Sequence, residues 1–187
     1  MNWYKRHNTP LGVIREVLKD QTDLQAQDTH FSCGGATIQN LFRLLHRKLP
    51  SEKVLNHKLN TQPTSGTAPK ALETFLQRNK VPYTYYTDQD DVEDILKHGN
   101  IIIIEYQDYN NNKNLEDRLA YTSSHFAILA GYDNRFFYII DSYLPKKMPT
   151  KSVIKKVLKN KFLQNWKARS YDKHTLMKRW GLIISVR

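Results

Sequence analysis

The chain has 187 residues, 40% of them hydrophobic, with a single cysteine and a formal net charge of +11 at pH 7. That length supports one domain with a proper core, the hydrophobic content excludes a disordered chain, and one cysteine excludes an internal disulfide and suits a reducing compartment. The longest apolar run, Ile101-Ile102-Ile103-Ile104, is far short of a membrane span, and Met1-Asn2-Trp3-Tyr4-Lys5-Arg6 lacks the apolar stretch of a signal peptide. A cytoplasmic protein is expected, although export without a cleaved signal leaves no mark of this kind.

Residues 1–26 read as an N-terminal arm with a short helix around Val13 to Lys19. The segment Gln27-Asp28-Thr29-His30-Phe31-Ser32-Cys33-Gly34-Gly35-Ala36 then leads into an amphipathic helix, because Ile38, Leu41, Phe42, Leu45 and Leu49 recur at three- and four-residue spacing. Ser32 is the candidate N-cap, which places Cys33 in the first turn, where unpaired N–H groups and the helix dipole favour a thiolate. Gly34 and Gly35 are poor helix formers, so their presence beside the thiol suits the close approach of another backbone, such as a substrate. Gln27 lies where its amide can curl back towards Cys33 and join the Cys33 N–H as an oxyanion hole. The helix ends before Pro50, and 51–61 form a second short helix. After the loop Gln62-Pro63-Thr64-Ser65-Gly66-Thr67, Pro69 opens a helix through Arg78, where its missing N–H costs nothing. Val81 to Thr87 reads as a strand, Asp90 to His98 as a helix stopped by Gly99, and Ile101 to Tyr106 as a buried strand. Residues 107–122 are a polar insertion leading directly into His125, placed to rim a cleft.

His125 to Asp141 reads as two apolar strands joined by Gly131-Tyr132-Asp133-Asn134. A hairpin centred on Asp133 makes His125 and Asp141 directly opposed, on one face, with Cβ atoms about 5 Å apart. An imidazole beside a carboxylate on a rigid sheet is a positioned general base. Further on, Val153, Ile154, Val157, Leu158 and Phe162 recur at helical spacing, and Leu182 to Val186 closes as a strand. Residues 1–145 carry 16 Lys or Arg against 17 Asp or Glu, whereas 146–187 carry 13 against the single acid Asp172. This basic C-terminal helix and strand either turns its lysines to water or serves an anionic partner. No nucleic-acid motif accompanies it. A metal site wants paired Cys or His, and one cysteine does not supply them; no metal and no cofactor is expected. A helical half followed by an antiparallel half is α+β.

These residues resemble a family. Gln27, Cys33-Gly34 and the small Ala36 resemble the bacteriocin-processing cysteine peptidases that cleave after double-glycine leaders, and more closely their free-standing peptidase-like relatives of papain-like fold. Ser65-Gly66-Thr67-Ala68-Pro69 resembles the Gly-Thr element before a helix, His125 with Gly131-Tyr132-Asp133 and Asp141 the His and acid strands, and Trp166 and Trp180-Gly181 the C-terminal ending. The likeness runs from about Gln27 to the end. It departs at Gly35, where relatives often have Pro or Ala, and at Ser142, where they often have Pro.

The resemblance implies a single papain-like domain over 1–187, with the arm at 1–26 and the basic region at 146–187. It implies Cys33 as nucleophile, His125 as general base and acid, Asp141 as the group orienting His125, and Gln27 as oxyanion donor, acting on a peptide or protein substrate. Two other readings stand beside it. One is another thiol acyl-transfer enzyme, a transglutaminase or deamidase. The other is a non-catalytic binding module using the basic C-terminal edge.

Overall fold

The run Ile101–Ile104 is apolar without alternation because its strand is covered on both faces. The computed structural model describes residues 11–20, 24–48, 50–107, 124–143, 153–169 and 176–186. In chain order the elements are α1 (Ile14–Asp20), α2 (Cys33–Leu44), α3 (Glu52–Lys58), α4 (Pro69–Arg78), β1 (Thr84–Tyr85), α5 (Val92–Lys97), β2 (Asn100–Gln107), β3 (Ser124–Tyr132), β4 (Phe136–Ile140), β5 (Ile154–Leu158), α6 (Lys159–Asn165), β6 (Lys167–Arg169), β7 (Leu176–Lys178) and β8 (Gly181–Ser185). Six strands form one antiparallel sheet in the order β1-β8-β2-β3-β4-β5, and β6 pairs with β7.

Alternation along the strands divides the core in two. Ile101, Ile103, Phe126, Ile128 and Ile140 pack with α1 to α4, among them Ile38, Leu41, Leu55 and Leu72. Ile102, Ile104, Ala127, Leu129, Phe137 and Ile139 pack with Leu96 of α5 and with Phe162 and Trp166. The α+β architecture with a helical layer preceding the antiparallel sheet is as expected.

Three expectations need correction. Residues 153–158 were expected to begin a basic helix, but Ile154–Leu158 is the edge strand β5, paired with β4, and only Lys159–Asn165 is helical. Val153, Ile154 and Val157 are β-branched and fit a pleated surface, while Lys155 and Lys156 sit on an edge where charge discourages further pairing. The strand expected over Val81 to Thr87 shrinks to Thr84–Tyr85 on β8, since Pro82 offers no donor to a ladder. The hairpin register also differs. Ile128 opposes Ile140 and Leu129 opposes Ile139, so His125 and Asp141 are diagonal neighbours and not a direct pair. The insertion at 107–122, apart from Gln107, lies outside the described residues.

Candidate active site

Cys33 opens α2 because Ser32 occupies the N-cap position, although by backbone alone. The Ser32 hydroxyl makes no cap bond; it accepts from Thr29 N–H and donates to Thr29 O, both at 3.0 Å. The two glycines that follow make room for side chains of this chain itself, Thr67 of the loop before α4 and Asn56 of α3, where the sequence suggested the approach of a substrate. A Cβ on Gly34 would lie 2.4 Å from Thr67 Oγ1, and one on Gly35 would lie 2.1 Å from Asn56 Oδ1. Thr37, one turn on, donates to Phe126 O at 3.1 Å and fastens α2 to β3.

The sheet supplies the rest. A bulge between Leu129 and Gly131 separates two registers of the β3–β4 hairpin. Near the turn, Tyr132 opposes Phe137 and Gly131 opposes Tyr138; beyond the bulge the register moves by one residue. Continued without the bulge, the first register would send His125 and Asp141 to opposite faces, because a one-residue slip reverses every side chain. With it they share a face. The turn is held by Asp133, whose Oδ1 accepts from Arg135 N–H at 2.9 Å and Phe136 N–H at 2.8 Å, and whose Oδ2 accepts from Tyr138 OH at 2.8 Å. Burial would raise this carboxyl; those bonds and Lys156 outweigh it and keep it below its ordinary value.

His125 Nε2 lies 2.7 Å from Asp141 Oδ1. Cys33 lies close enough to the same imidazole to favour its charged form, and with Nε2 committed to Asp141, Nδ1 is the ring nitrogen left for sulfur. Asp141 is completely buried and its carboxylate is saturated. Oδ1 also accepts from Tyr143 N–H at 2.8 Å, while Oδ2 accepts from Tyr106 OH at 2.5 Å and Lys155 Nζ at 2.7 Å. Burial disfavours the charged form of both residues, but their mutual attraction wins. Asp141, then Cys33, holds His125 above its ordinary value, and His125, then Lys155, holds Asp141 well below the usual carboxylate range.

Gln27 joins this end of the sheet by a different route. Its N–H donates to Ser142 O at 2.9 Å, and its Oε1 accepts from Ser142 Oγ at 3.1 Å. Its Nε2 donates to Thr29 O at 2.6 Å, three residues before the N-cap Ser32 of α2. Gln27 therefore bridges the Asp141 strand end and the Cys33 loop, with one amide hydrogen still uncommitted by these bonds.

Sequence reasoning missed Tyr106, Ser142 and Lys155. Tyr106 was detectable from alternation with Ile102 and Ile104. Ser142 stood out only as a departure from the expected Pro, whose ring has no hydroxyl to hold Gln27. Lys155 was hidden by the helical reading of its segment. Three of the lysines expected to face water pair with acids, Lys155 with Asp141, Lys156 with Asp133 at 3.1 Å and Lys159 with Glu93 at 2.6 Å, and at the surface Arg179 pairs with Asp88 at 3.4 Å. These pairs account for four of the thirteen basic residues in 146–187.

Among the described residues, no group of three or more His, Cys, Asp or Glu side chains is placed to hold a metal ion, and no helix is long and apolar enough to cross a membrane. The sequence model of the Peptidase C39 like family matches residues 19–174. No curated protein matches the chain. Among solved structures, the peptidase domain of Streptococcus ComA, a bi-functional ABC transporter involved in a quorum sensing pathway, superposes with a TM-score of 0.60 at 14% identity, covering 88% of this chain and 98% of that one. A protein described as a C39-like peptidase from Bacillus anthracis gives a TM-score of 0.60 at 14% identity, over 89% of this chain and 95% of that one.

Proposed function

Because the chain belongs to the Peptidase C39 like family and is a cysteine-type peptidase, a hydrolase, we propose that it cleaves peptide bonds through Cys33, His125 and Asp141, with Gln27 at the oxyanion. The observation that carries this reading is an imidazole set beside Cys33 whose Nε2 meets a buried, saturated carboxylate at 2.7 Å.

The thiol proton passes to His125, and the thiolate attacks the carbonyl carbon of the scissile peptide bond. Negative charge develops on the carbonyl oxygen. The Cys33 N–H, at the start of a helix where amides have no helical partner, and the second Nε2 hydrogen of Gln27 are the donors for it. His125 then protonates the leaving amine. Next it takes a proton from water, which attacks the acyl-cysteine and frees the acid and the thiol. Asp141 keeps the imidazole in one tautomer and stabilises its cation throughout. The substrate is a peptide or protein, and the lone catalytic thiol suits a reducing, cytoplasmic setting, which cell fractionation tests.

The deciding experiment is the pH dependence of iodoacetamide alkylation at Cys33 in the wild type and in His125→Ala. Rapid alkylation at about pH 5–6 that disappears in the variant is the expected result. Slow alkylation rising only above about pH 8, as for an ordinary thiol, overturns the reading.

A further inference from the structure

Four neighbouring strands each contribute one polar side chain to the same face of the sheet. Tyr106 on β2 directly opposes His125 on β3; Asp141 follows β4; and Lys155 on β5 opposes Ile139, two residues before Asp141. The neighbouring positions on that face, Ile104, Ala127, Leu129 and Ile139, are apolar and fully buried. Among the described residues, the sheet positions beside the row on this face therefore bring no further charge to it. Glu105 sits next to Tyr106 but, by alternation, faces the opposite side.

The division of Asp141 is the informative feature. Oδ1 faces the imidazole and Oδ2 faces the ammonium, each at 2.7 Å. Two cations share one carboxylate. An ammonium this close offsets part of the field that Asp141 would otherwise give to His125, since a like charge opposes a second cation. Tyr106 completes the arrangement: its hydroxyl donates to Oδ2, and its ring meets the His125 ring edge-on at 6.0 Å. We propose that Lys155 is a positioning residue that, with Tyr106, fixes the Asp141 carboxylate and draws on its charge, limiting the pH range over which the His125 imidazolium persists. This deepens the proposed peptidase mechanism and rests on His125 acting there.

Among the described residues, the groups that face His125 are Cys33 from α2, Tyr106 from β2, and Asp141 and Tyr143 after β4; the Tyr143 ring lies 6.0 Å from the imidazole. Lys155 faces Asp141, with its Nζ 5.9 Å from the Tyr143 ring. Of these, Lys155 is the group whose charge can be removed without touching a residue assigned to the reaction.

The test follows the His125 ring-proton NMR titration in the full chain, assigned by its absence in His125→Ala, in the wild type, Lys155→Met and Lys155→Arg. Lys155→Met is expected to raise the His125 midpoint by about one pH unit, because a single cation then holds the carboxylate. Lys155→Arg, which keeps the charge, is expected to restore the wild-type midpoint. If Lys155→Met fails to fold, Lys155→Gln keeps a donor without the charge and should give the same rise. An unchanged or lowered midpoint in the neutral variant overturns the proposal, as does an equal shift in Lys155→Arg. Alkylation of wild-type Cys33 tests the peptidase reading separately, so failure there is distinguishable from failure here.

Discussion

Two buried carboxylates end up in opposite states within one corner of the sheet. Asp141 and Glu105 are both nearly inaccessible to solvent, at 0% and 5% exposure. Asp141 receives an imidazole, an ammonium, a phenol and a backbone amide, and its carboxyl is held well below the usual range. Glu105, on the other face of β2, has an oxygen with no partner among the described residues, and burial pushes its carboxyl up to about 7 despite a bond to Ser124. Gln107 lies two residues along the same face, its amide nitrogen and oxygen without a partner among the described residues. Burial alone therefore does not decide ionisation. Donors built into adjacent strands do, and they were supplied on the face that carries His125.

Asp141→Asn should break the comparison on its stabilised side and have the larger effect. It leaves Lys155 and His125 without their shared counter-charge, and losing one partner of a buried pair costs about 3–5 kcal/mol. Stability drawn from a lowered carboxyl is present at neutral pH and fades on acidification. The melting temperature should therefore fall by about 10 °C at pH 7, with the deficit narrowing in acid. Peptide hydrolysis should fall by about a hundredfold or more, because the imidazole loses its fixed tautomer. A variant that melts like the wild type at pH 7 would show that Asp141 is not held as described.

The two carboxylates were unequally legible in the sequence. The pairing of His125 with Asp141 was visible because both close an apolar hairpin of nearly symmetric length. The direct register inferred for them was two residues out beyond the bulge, and a shift of two preserves the face. The bulge itself left little trace, since Ala130-Gly131 reads as ordinary strand and turn; the structure places Gly131 against Ile14 and Leu11, where a Cβ would collide. The Cys33 helix was legible from its apolar stripe, but the purpose of Gly34 and Gly35 was not. Thr67 and Asn56, which they accommodate, are far away in sequence. Lys155 was unreadable for a related reason: six residues with apolar positions at 153, 154, 157 and 158 fit a helix turn and an edge strand alike, and only pairing with β4 selects one. Glu105, at the end of a run of isoleucines, carried no sign of its missing partner.

Glu105→Gln should sharpen the comparison from the unsupported side, with the opposite sign. A carboxyl raised to about 7 keeps its proton in the folded chain while the unfolded chain releases it. Relative to its fully protonated state, Glu105 thus loses stability as pH rises from its ordinary range through 7. A glutamine of the same shape has no proton to lose. The variant should match the wild type below about pH 4 and gain about 2–3 kcal/mol by pH 8, or about 5 °C or more in melting temperature. Thermal melts from pH 4 to 8 check this. A gain of equal size at both ends would mean that packing, not ionisation, distinguishes the two side chains. Gln107→Met removes an unpartnered amide with no titration involved, so its smaller gain, about 1 kcal/mol, should be the same at every pH. A flat response at 107 beside a sloping one at 105 would separate the cost of an unmet hydrogen bond from the cost of an unmet charge on the same strand.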